Sequence, residues 1–197
     1  LKDDARHGYF GKLSAGALDK YYNGQALINA FKGKRKLAAF AITGNTSNTG
    51  LDWQTSQNYG FDNNNVTVME GGGIMISDNS SDDLGSGSFY GEGLPESIKG
   101  GVHFSNKWDN DKYNLGGNYL FNQLNLHSAG NTYTQNILAD SVYYNRSAQD
   151  NHSHRIRHSL AGTAEIQLDS SSSVKITANG YAGTGQNSNS STSEALS

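Results

Sequence analysis

The chain has 197 residues, with 24 Gly, 1 Pro, no Cys, 11 Tyr, 35% hydrophobic residues and a mean hydropathy of −0.65. That length suits one ordinary domain, and the mixture is poor in apolar helical stripes and rich in small, hydroxyl and amide residues. A formal charge of −3 argues against a nucleic-acid footprint, and the lack of cysteine excludes a disulfide framework or a thiolate metal site.

Strand-like alternation begins early. Tyr9, Gly11, Leu13, Ala15 and Ala17 alternate with Lys12, Ser14 and Gly16, and a short ALDK link leads to a second run. There Tyr22, Gly24, Ala26, Ile28 and Ala30 oppose Asn23, Gln25, Asn29 and Phe31. A period of two of this kind predicts strands with one dry and one polar face. The turn KGKRK, Lys32 to Lys36, leads into LAAFAITG, whose phase is blurred because both faces are apolar or small.

Residues from Asn45 to about Leu94 are predicted as a long polar loop. Within it, GSGSFYGEG (Gly85 to Gly93) is glycine-rich but spaced GxGxxxG with no helix following, so phosphate cradling is not expected. DNSSDD, Asp78 to Asp83, lacks the glycine and terminal glutamate of a formed calcium site and is taken as a solvated acidic loop.

Next comes a hairpin. Ile98, Gly100, Val102, Phe104 and Trp108 alternate with Lys99, Gly101, His103, Ser105 and Lys107. After DNDK, Tyr113, Leu115, Gly117, Tyr119 and Phe121 alternate with Asn114, Gly116, Asn118, Leu120 and Asn122. Asp109 and Asp111 resemble the start of a calcium loop. An EF-hand needs an oxygen ligand, a glycine and a glutamate where Tyr113, Asn114 and Leu120 stand, so the turn reading is kept.

Asn125 to about Asn151 is predicted as a second long loop. His152, His154 and His158 in NHSHRIRH then share strand parity, which makes a metal site conceivable. For want of a carboxylate or thiolate at ligand spacing, they are taken as solvent-facing or rim histidines, and no metal site is assigned. Ile156 to Leu168 and Val174 to Ala182, joined by DSSSS, complete about seven antiparallel strands. No serine or acid pair stands in a recognisable catalytic context, so no enzyme activity and no cofactor are expected.

The turns KGKRK, DNDK and DSSSS fall at one end of this meander, while the long loops and the ALDK link fall at the other. Short turns on one rim and long polar loops on the other suit an outer-membrane barrel, whose dry face meets lipid and whose polar face lines a lumen. No apolar run approaches the roughly 20 residues of a spanning helix, so a membrane role would need a barrel or a surface association. Trp108, Tyr113, Phe31, Tyr9 and Phe10 lie near strand ends, as an interfacial girdle requires.

The segments KDDARHGYFGKLSAG, YYNGQALINAFKGKRKLAAFA, NTSNTGLDW, GLPESIKGGVHFSNKWDNDKYNLGGNYLFNQLN and DSVYYNRSAQDNHSHRIRHSLAGTAEIQLDSSSSVKITANG resemble the outer-membrane β-barrel family allied to TonB-dependent receptors of Gram-negative bacteria. The resemblance covers nearly the whole chain, and its weight lies in the run and order of matches. It implies that residues 1–7 end a plug or linker and that residues 8–197 form part of a large transmembrane β-barrel. The fold class expected is thus all-β, an antiparallel up-and-down meander of about seven strands, open in isolation. The start at Leu1, without an initiator Met or a secretory signal, likewise leads to the expectation of a fragment.

The resemblance further implies a location in the cell outer membrane, contact with its lipid, and uptake of a small nutrient. The partner would be a TonB-type energy-coupling complex, reached through a plug region. Trp53, Tyr59, Phe89 and Tyr90 are the candidate ligand contacts, since flat rings on polar loops suit sugars and siderophore-like ligands. The alternative is a soluble or surface-attached, adhesin-like β-sheet binding module without transport, in which the dry face packs on a second sheet.

Overall fold

The computed structural model of the chain describes residues 7–47, 66–68, 74–76, 92–138 and 142–196. These contain β1 (His7–Leu18), β2 (Tyr21–Lys32), β3 (Arg35–Gly44), β4 (Val66–Val68), β5 (Ile74–Ile76), β6 (Leu94–Trp108), β7 (Tyr113–Ile137), β8 (Val142–Gln167) and β9 (Ser173–Leu196). Seven strands form one antiparallel sheet in the order β1-β2-β3-β6-β7-β8-β9, and β4 pairs with β5 in a separate ladder. The large sheet is an up-and-down meander with β1 and β9 as its edges, so the fold is all-β and open, and no helix occurs among the described residues.

Local chemistry makes the short turns. Asp19, Gly33, Asp109, Asn110 and Asp111 have φ of 53°, 59°, 55°, 52° and 70°. Glycine enters this left-handed region freely, and Asp and Asn tolerate it because their short polar side chains can hydrogen-bond locally. In the β8–β9 turn the Asp169 carboxylate accepts the Ser171 amide at 2.8 Å and the Ser171 hydroxyl at 2.9 Å. Those bonds, the amide first, hold the Asp169 carboxyl below its usual range. Lys34 Nζ reaches Asp111 Oδ1 at 2.7 Å, and the Gln167 amide donates to the Lys112 carbonyl at 2.8 Å. The KGKRK and DNDK turns therefore touch, and DNDK also meets the end of β8, along one rim.

Strand register unites the dry residues. One ladder row runs Tyr9, Ala30, Leu37, Phe104, Gly117, Gly162, Ala178, and the next open-face row runs Gly11, Ile28, Ala39, Val102, Tyr119, Leu160, Gly180. Gly100, Leu115 and Ile166 fall on the same face by the same register. This face is open: Val102 is 44% exposed and Tyr119 41%.

Its apolar band is slanted across the ladder. The row of Leu13, Ala26, Ala41 and Gly100 reaches Phe121 on β7, where the band gives way to Gln123 and Asn125. On β1 the band continues past Leu13 to Ala17. Toward the short turns, β1 leaves the band after Tyr9 with His7, whereas β7 continues past Gly117 to Tyr113. The band thus slides about four residues over the steps β1-β2-β3-β6-β7, about one residue per strand. With a rise of about 3.3 Å and a strand spacing of about 4.8 Å, a line along the band makes strands tilt by about 35°.

The opposite face is the sheltered one, and it is not simply polar. Leu27, Ala38, Phe40, Ile42 and Leu120 form a buried cluster there, and Leu124 is buried beside it. That explains the blurred phase of LAAFAITG: Ala38, Phe40 and Ile42 are covered while Leu37 is exposed on the open face. Phe10 and Phe31 also take the sheltered parity, opposite Asn29 and Gly8, whereas Tyr9, Trp108 and Tyr113 keep the open one. Trp108 and Tyr113 stack at 5.7 Å.

Three sequence readings need correction. Residues from Asn125 to Asn151 are no long loop, since β7 runs on to Ile137 and β8 starts at Val142, with Ile137 paired to Val142. Likewise β9 continues far beyond Ala182, to Leu196. These upper halves carry Asn, Ser, Thr and Gln on both faces, so alternation is lost while backbone pairing persists. Finally, the ALDK link shrinks to a turn at Asp19 and Lys20.

Candidate functional site

The sheltered face brings buried polar side chains together with apolar ones. Ladder pairing sets Gln25, Ile42, Lys99, Asn122 and Arg157 in one row. Adjacent rows hold Leu27, Phe40, Gly101, Leu120, Ser159 and Tyr181, then Asn29, Ala38, His103, Asn118 and Ala161. Lys99 is 8% exposed and Asn122 7%, and Ser97 and Ser159 are also buried.

Packing at this wall depends on one small residue. A Cβ at Gly101 would lie 2.5 Å from the Phe40 ring and 2.6 Å from Leu120 Cδ2, so the backbone there is the floor on which both side chains rest. Around it the polar groups are held in place: His103 hydrogen-bonds Asn118, Asn114 donates to Glu165 at 3.3 Å, and the Arg157 guanidinium lies 4.7 Å from the Tyr181 ring centroid. Ser97 Oγ is buried without a hydrogen-bond partner among the described residues. A buried hydroxyl of this kind normally finds a partner, and here it lies next to the Lys99 row. Cations at Lys99 and Arg157, an amide at Asn122 and hydroxyls at Ser97 and Ser159 suit a ligand bearing anionic or hydroxyl groups.

Trp53, Tyr59, Phe89 and Tyr90, the candidate ligand contacts from sequence, lie outside the described residues. His152, His154 and His158 are exposed on the open face and do not converge on one another. His158 hydrogen-bonds the Tyr119 hydroxyl at 2.8 Å and lies 5.3 Å from the Phe121 ring, His154 hydrogen-bonds Asn125, and His152 turns to Asp150 and His127.

Sequence reasoning missed Lys99, Asn122 and Arg157 as a group, because only register brings their strands together. It also missed Asp150, although a carboxylate two residues before His152 was readable as Asp-x-His. Comparison with family models, with curated proteins and with solved structures returns no match.

Proposed function

We propose that this chain is part of a TonB-dependent-receptor-like protein of the cell outer membrane that binds a small nutrient at the cell surface and takes it up. The observation that carries this reading is the open face. Its apolar band is about nine residues tall on β7, from Tyr113 to Phe121, close to the roughly 9–11 residues with which a tilted strand crosses a bilayer. The slide of about one residue per strand gives a tilt of about 35°, which lies at the edge of the range for barrel strands. Apolar side chains left open across seven strands are costly in water and favourable against lipid.

In this reading, ligand capture falls to the long polar connection from Asn45 to about Leu94 and to the sheltered wall of Lys99, Asn122, Arg157 and Ser97. Passage follows when a plug is moved by the energised TonB-type partner. The side-chain types of the wall suit anionic or hydroxyl groups on such a ligand.

The test is a face-resolved arginine scan. Val102→Arg and Tyr119→Arg should each cost about 2–4 kcal/mol in folding into lipid, while Asn118→Arg on the sheltered face should be tolerated. Equal responses from both faces would defeat the barrel reading and favour the soluble binding module.

A further inference from the structure

We propose that His127, His152 and Asp150 form a binding site for a divalent first-row transition cation of the Zn2+ kind. His127 and His152 are direct ladder partners on β7 and β8, and Asp150 shares their face two residues along β8. Their rings stack at 4.3 Å with planes 15° apart, which leaves both Nε2 atoms facing the same carboxylate. Asp150 Oδ2 lies 3.3 Å from His127 Nε2, and Asp150 Oδ1 lies 2.9 Å from His152 Nε2. All three ligand atoms fall within 4.8 Å of one another.

Metal geometry asks for this spacing. Ligands about 2.0–2.1 Å from a tetrahedral Zn2+ stand about 3.3 Å from one another, so small side-chain movements bring the three donors onto one ion. Two imidazoles and one carboxylate select Zn2+, Ni2+ or Cu2+ over Ca2+ and Mg2+, which prefer all-oxygen shells. Side chains 48–63% exposed leave a fourth position open to water or to a bound ligand.

The surroundings add a second observation. His127 and His152 form part of the wall of a recess of about 590 Å³, which Leu94, Glu96, Asn125 and His154 also line. Glu96 brings a second carboxylate to the recess, and Asn125 fixes the ring of His154. The site lies on the open face, beyond Phe121 and therefore outside the apolar band. It rests on strand register and side-chain geometry and does not require the barrel reading.

The test is calorimetric titration of the full-length protein with ZnCl2, repeated on variants whose far-UV circular dichroism matches the parent. One Zn2+ per chain is expected. His127→Ala, His152→Ala and Asp150→Asn should each weaken it about tenfold or more, while His154→Gln leaves it within about threefold. Millimolar Ca2+ should not compete. The site is overturned by the absence of saturable one-to-one binding, by survival of binding in any of the three variants, by an equal loss in His154→Gln, or by displacement with Ca2+.

Discussion

Single residues fix the geometry of this sheet at two kinds of place. At Gly101 the absence of a side chain lets Phe40 and Leu120 meet over the backbone, so Gly101→Val should cost about 1–3 kcal/mol through overpacking. Urea unfolding checks this, and adding Leu120→Ala should recover part of the loss if crowding is the cause. At the DNDK turn, Lys34 donates to Asp111 and holds its carboxyl below the ordinary 3.8, helped by the charges of Lys34 and Lys107. A lowered carboxylate pKa means that the pair's contribution is present above that ordinary value and is lost as pH falls through the lowered one. The pair is exposed and its contribution small. A carbon-detected NMR titration of Asp111 should therefore move back toward 3.8 in Lys34→Met, and no movement would mean that the contact is not kept in solution.

At the scale of the element, the three long strands have two different halves. From Tyr113 to Phe121, β7 packs an apolar open face and a sheltered face that includes buried Leu120. From Asn131 to Gln135 both faces are exposed, and the ladder is held chiefly by backbone hydrogen bonds. Few buried apolar contacts mean low local stability. Amide exchange should therefore be markedly faster at 131–137 and 142–148 than at 115–122 and 158–164, as hydrogen–deuterium exchange would read directly. Uniform protection along β7 would show that something covers the upper hairpin.

At the scale of the whole molecule, the seven-stranded sheet of the described residues is open, exposing apolar side chains on one face and sheltering a mixed polar wall on the other. Such a sheet is stable in water only when a second layer covers its open face, or in a membrane when lipid does. If lipid is the cover, as the proposed transport reading requires, the full-length protein should fractionate with membranes and require detergent for release. Its recovery in the soluble fraction without detergent would defeat the transport reading.

The sequence by itself determined the strands with a dry and a polar face, their phase and the short turns. Side-chain alternation and Asp, Asn or Gly at positive φ are local properties that each segment carries alone. Leu115, Gly117 and Tyr119 therefore proclaim their face before any partner is known. Tertiary structure alone decided that Asn125 to Ile137 and Val142 to Asn151 continue as strands. With polar residues on both faces, only pairing with the neighbouring strand satisfies their backbone groups. It alone placed Lys99 beside Asn122 and His127 opposite His152, because register is a relation between two neighbouring strands that neither stretch encodes by itself.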